Sequence, residues 1–95
     1  MASVDVGCEP ATDGGWRCRV TVADGRSQTS HEVRVSPVEL ARYGAPGSTE
    51  PTDLVHASFA FLLAREPKES ILRAFDLGVI ERYFPDFRAV ITGGR

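Results

Sequence analysis

Between Asp53 and Arg65 the chain carries no charged side chain, and Leu54, Val55, Ala57, Phe59, Ala60, Phe61, Leu62, Leu63 and Ala64 fill most of the interval. Thr52 and Asp53, an oxygen acceptor and an acid just ahead of this run, mark a helix start, because they answer the unsatisfied N–H groups and the positive end of a first turn. Apolar side chains then cover most of the helix circumference rather than one stripe, so such a helix has to be buried on several sides. It is too short to cross a bilayer, which takes roughly twenty apolar residues. The remainder of the chain must therefore supply what covers it.

Pro67 cannot continue a hydrogen-bonded helix but fits a first turn, so Arg65-Glu66-Pro67 ends the buried helix and opens another. Over Lys68 to Phe75, the residues Ile71, Leu72 and Phe75 share one helical face, and Glu69 and Arg73 are spaced to pair on the opposite one. Asp76 is placed to cap a third helix in which Leu77, Ile80, Tyr83 and Phe84 recur at three- and four-residue intervals until Pro85. Phe87, Ala89 and Ile91 alternate, which suggests a final strand before a frayed Thr92-Gly93-Gly94-Arg95 end.

The first third has the other periodicity. Val4, Val6 and Cys8 alternate with polar residues, and Trp16, Cys18, Val20 and Val22 alternate with Arg17, Arg19 and Thr21. That is the pattern of half-buried strands. Asp24-Gly25 reads as a two-residue hairpin turn. It would set Val22 against Ser27, Val20 against Thr29, Cys18 against His31 and Trp16 against Val33, with Gln28, Ser30, Glu32 and Arg34 facing outward beside Arg17 and Arg19. A slip by one residue would expose the whole apolar set, so the facing is strongly specified. Ser36-Pro37 looks like an N-cap with Pro at the first helical position, leading through Val38, Leu40 and Tyr43 into the loop Gly44-Ala45-Pro46-Gly47-Ser48.

A chain of 95 residues can bury about two thirds of its unfolded surface, so one core without a metal or a disulfide is expected. Its 11 basic and 13 acidic residues give a formal net charge of −2, which steers it toward no polyanion. Met1-Ala2-Ser3-Val4-Asp5 lacks the basic start and apolar run of a signal peptide, so a cytoplasmic protein with no membrane contact is expected. In a reducing compartment two cysteines are expected to be thiols.

Few residues could carry chemistry. A first hairpin centred on Asp13 would bring Cys8 opposite Cys18, and with His31 across from Cys18 two thiols and an imidazole would converge on one sheet face. Such a set suits zinc or a redox pair. Against this, the ten-residue Cys spacing is no metal knuckle and a fourth ligand is missing, so buried apolar cysteines beside a hydrogen-bonded histidine are the plainer reading, with no cofactor. His56 follows Asp53 by three residues, but Ser58 points elsewhere on the helix, so these residues form no triad. Asp13-Gly14-Gly15 and Thr92-Gly93-Gly94 are too short for a phosphate cradle. Arg17, Arg19 and Arg34 share the outer sheet face and could follow a phosphate backbone, with Glu32 expected opposite Arg17 as a counter-charge.

The run Arg65-Glu66-Pro67-Lys68-Glu69-Ser70-Ile71-Leu72, with Phe75-Asp76-Leu77, Ile80 and Tyr83-Phe84-Pro85, resembles that of small bacterial proteins without an established activity. Ten of the eleven basic residues are Arg, as in chains from GC-rich bacterial genomes. The order of antiparallel strands followed by helices is similar in layout to the HicB-type antitoxins, a likeness that transfers no binding residue.

The expected fold is a single α+β domain: a three-stranded antiparallel meander over 1–35, a short helix and loop over 36–50, a helical region over 51–85, and a possible fourth strand and tail over 86–95. More apolar side chains follow Pro51 than a small sheet can hide. Phe59, Leu62, Leu63, Tyr83 and Phe84 are therefore expected at a protein–protein interface, in a homodimer or with an unidentified hetero-partner. A non-enzymatic interaction module is the leading expectation. A nucleic-acid-associated regulator using Arg17, Arg19 and Arg34 is the alternative.

Overall fold

Alternating side chains build the sheet as expected, and the helices lie over one of its faces. The computed structural model describes residues 2–94, so Met1 and Arg95, the ends of the expected leaderless start and frayed tail, lie outside the described residues. Strands β1 (Ser3–Pro10), β2 (Trp16–Asp24) and β3 (Ser27–Val35) form an antiparallel meander, and β4 (Ala74–Asp76) joins it in the order β1-β2-β3-β4. Cys18, Val20 and Val22 of β2 and Val33 and Val35 of β3 are buried on the helix side. The α+β class holds.

The β2–β3 register differs from expectation by two residues. Asp24 pairs with Ser27, so Gly25 and Arg26 form the turn, and Cys18 faces Val33, Val20 faces His31 and Val22 faces Thr29. A turn at Asp24-Gly25 would favour positive φ at Asp24, whereas Gly25 has φ 62° and no described non-glycine residue lies in that region. Glycine at the first of two central positions is the II′ hairpin arrangement. Because the shift is an even number, every side chain keeps its face.

Ser36 caps α1 (Pro37–Tyr43) with a full capping box: the Glu39 N–H donates to Ser36 Oγ and the Ser36 N–H donates to Glu39 Oε1. The buried helix is α2 (Thr52–Leu63), close to the stretch its charge-free interval marks. Thr52 does not cap it; its hydroxyl donates to Glu50 Oε2, and Pro51 stands at the N-cap.

Two expected elements are replaced. The segment expected as a helix over Lys68 to Phe75 is a single 3-10 turn, Lys68–Ser70, followed by extended chain into β4. Helical periodicity loses here to an open sheet edge: the Glu32 N–H donates to the Arg73 carbonyl and the Leu77 N–H to the Arg34 carbonyl, satisfying β3 groups that would otherwise lack partners. The fourth strand thus exists, but it is parallel to β3 and lies before the last helices. Glu69 pairs with Lys68 rather than with Arg73.

After α3 (Val79–Tyr83), the residues read as a C-terminal strand form α4 (Phe87–Ile91). Phe87 is buried, Ile91 half-buried and Ala89 exposed, as one helical face requires. Thr92 is also buried, its hydroxyl donating to the Arg88 carbonyl, so the expected fraying does not begin there.

Aromatic rings fasten the helices to each other. Phe87 lies 5.1 Å from both Tyr43 and Phe61, and Phe61 meets Phe84 edge-on at 5.8 Å. Arg65 sits over the Phe61 ring at 3.6 Å and pairs with Asp86 at 2.9 Å, tying the end of α2 to the start of α4.

Candidate functional site

Cys8 and Cys18 face each other as expected, but they are joined as a disulfide rather than held as thiols. The β2–β3 shift places Val33, not His31, opposite Cys18. His31 instead lies against Phe59, with ring centroids 5.3 Å apart. Its Nδ1 is 2.8 Å from the Leu72 carbonyl oxygen and its Nε2 2.8 Å from Thr29 Oγ1. A carbonyl only accepts, so Nδ1 carries the proton it donates, and in the neutral ring Nε2 accepts from the Thr29 hydroxyl. Both nitrogens are engaged. The bridge and these two hydrogen bonds engage all three side chains, and among the described residues no group of three or more His, Cys, Asp and Glu side chains could hold a metal ion.

His56 is exposed on α2, while Ser58 is buried and donates to the Leu54 carbonyl. Nothing joins them. The outer-face arginines are exposed, as expected, but with a different counter-charge pattern: Glu32 lies opposite Arg19 in the register, and Arg17 lies opposite Arg34. Glu32 Oε2 is 3.9 Å from both Arg17 Nε and Arg34 Nη1, and Asp76 Oδ1 accepts from Arg34 Nε at 2.7 Å. That hydrogen bond, reinforced by the Asp76 charge, makes Arg34 hold its proton more tightly than usual. Two of the three guanidiniums are already neutralised from within the chain.

The interaction residues separate by depth. Phe59 is fully buried against His31 and Phe75 and is not available to a partner, which corrects its expected interface role. Leu62 is also buried, Leu63 and Phe84 are half-buried, and Tyr83 is 68% exposed. Leu62, Tyr83 and Phe84 come together, with Ile71, Leu72, Phe75 and Ile80, around an apolar groove of about 310 Å³ between α3, the end of α2 and the segment leading into β4. Leu63 is not among the residues that line it.

Leu72, missed as an interface residue, is 47% exposed at this groove. Its presence there follows from the extended chain that replaces the expected helix: Leu72 lends its carbonyl to His31 while its side chain stays outside the core. The sequence signal was the crowding of apolar residues around it, which periodicity assigned to a helical core face. Glu66 also lines the groove, and among the described residues its carboxylate makes no hydrogen bond or ion pair.

A polar clamp holds α3, which forms one wall of the groove. Glu39 Oε2 accepts from the Gly78 N–H at 2.7 Å, and the Tyr43 hydroxyl donates to Glu81 Oε1 at 2.6 Å. Burial and the Glu81 contact push the Tyr43 pKa up.

No helix of the described residues is long and apolar enough to cross a membrane. No family model, curated protein or solved structure matches the chain.

Proposed function

We propose that this chain is a small non-enzymatic protein–protein interaction module whose docking face is the groove bordered by Leu72 and Tyr83. The observation that carries the reading is the combination of an apolar recess with two large exposed apolar side chains beside it. Exposed apolar surface clustered in this way marks an interaction face more often than scattered single residues do. The walls are held by hydrogen bonds to His31, Glu39 and Glu81, so a partner meets a recess already formed. Preorganisation of this kind lowers the ordering cost of docking.

The outer sheet face supports a nucleic-acid role less well, because Glu32 and Asp76 already answer Arg17 and Arg34. A bridged cysteine pair belongs to an oxidising compartment more often than to a reducing cytoplasm, which weighs against the cytoplasmic placement. Leu72→Glu and Tyr83→Ser test the docking reading. Both side chains are largely outside the core, so the variants should keep the wild-type circular dichroism and unfolding temperature while losing association with the partner. Association that survives both changes contradicts the assignment of the face, and so does loss of the fold.

A further inference from the structure

Taking the groove as a docking face, we infer that its occupant is a second copy of this chain, related to the first by a two-fold axis. An isologous contact needs one surface to carry both halves of the match. This one does: the recess floored by Ile71, Phe75 and Ile80 lies beside the exposed Leu72 and Tyr83 side chains. Leu72 of one copy enters the recess of the other, and the exchange repeats across the axis.

Charge follows the same pattern. Glu66 lines the groove and Arg73 is exposed next to Leu72 in the chain, and among the described residues neither side chain has a hydrogen-bond or ion-pair partner. In the two-fold arrangement Arg73 of each copy supplies the cation for Glu66 of the other. A different partner would have to bring both an apolar knob and a cation, whereas a second copy already carries them.

The sheet edge is compatible with the same axis. The bonds from Glu32 to the Arg73 carbonyl and from Leu77 to the Arg34 carbonyl fix which way the β4 backbone faces. Residues 73, 75 and 77 turn toward β3, so the N–H and C=O groups of Ala74 and Asp76 lie on the outer edge of the sheet. An antiparallel match centred on Phe75 sets Ala74 against Asp76 of the second copy as a hydrogen-bonded pair, extending the sheet across both copies.

Sedimentation equilibrium over micromolar to millimolar chain concentration, with charge-swap variants, tests the inference. The wild type should approach twice the 10.3 kDa chain mass. Glu66→Arg and Arg73→Glu should each weaken dimerisation by about tenfold or more, and the double variant should recover most of the loss. Neither substitution falls on a buried residue, so circular dichroism should stay unchanged in all three variants. A wild type that is monomeric throughout overturns the second copy as occupant, as does a dimer indifferent to both single variants or not rescued by the double one. The docking reading itself is judged separately, by whether a different polypeptide attaches at Tyr83.

Discussion

The His31 Nδ1–H donates to the Leu72 carbonyl oxygen at 2.8 Å, joining β3 to a segment 41 residues further along the chain. Leu72 borders the groove, so a buried side chain of the sheet fixes the position of a side chain at the proposed docking face. Thr29 completes the link from the other ring nitrogen. Replacing His31→Leu removes both bonds and leaves a carbonyl and a hydroxyl unsatisfied in a mostly buried setting, at a cost of about 2 kcal/mol. Thr29→Val, which removes one bond, should cost about 1 kcal/mol. Hydrogen exchange should quicken over Leu72–Phe75 in the His31 variant. Exchange unchanged there would mean that the segment is held by β4 pairing alone.

Tyr43 gives a stability term that is present at neutral pH and lost only at alkaline pH. Its phenol is buried and donates to Glu81, so ionisation is disfavoured in the folded chain and the folded pKa lies above the unfolded value of about 10. The contribution is intact below that unfolded value and is lost as pH rises through the raised folded one. Tyr43→Phe keeps the ring beside Phe87 and removes the hydroxyl, for a loss of about 1 to 2 kcal/mol at neutral pH. Unfolding temperatures of both proteins as a function of pH check this. The wild-type advantage should shrink at alkaline pH, and a constant difference would contradict the assignment.

The Cys8–Cys18 bridge joins strands that are already paired and closes a short loop, with a sequence separation of 10. By loop-closure entropy, its removal in a Cys8→Ser, Cys18→Ser double variant should cost about 2 to 3 kcal/mol. The fold should survive, because the β1–β2 ladder and the cover of α2 remain. Intact mass of the native chain, before and after a dithiol reductant, should rise by two hydrogens. A native chain that gains none is reduced from the start, and the bridge is then absent from the functional protein.

Much of this fold was legible because its periodicities were unambiguous. The three strands, Ser36 as a helix cap and the buried helix after Pro51 all follow from alternation, capping chemistry or an unbroken apolar run. The stretch from Lys68 to Phe75 was misread for a physical reason: Ile71, Leu72 and Phe75 suit a helix face, yet β3 offered an open edge with hydrogen bonds to satisfy. Phe87, Ala89 and Ile91 were too few to separate alternation from a helical turn. Tyr83, expected at the surface, is exposed at the groove, whereas the exposure of Leu72 was not legible because it depends on that strand-for-helix exchange. Phe59 shows the converse, an apolar residue assigned to the surface that the core absorbed.

Photo-crosslinking from position 83 tests the central claim most directly. A photoreactive phenylalanine derivative replaces Tyr83 in one protein and Ser30, on the exposed outer sheet face, in another. Each is irradiated both as the pure chain and in an extract of the cells that make it. The account predicts a discrete protein adduct from position 83, with the attachment point on the adduct mapping to Leu72, Arg73 or Tyr83 where the partner is a second copy. No adduct from position 83, or the same adduct from position 30, would contradict the groove as a docking face.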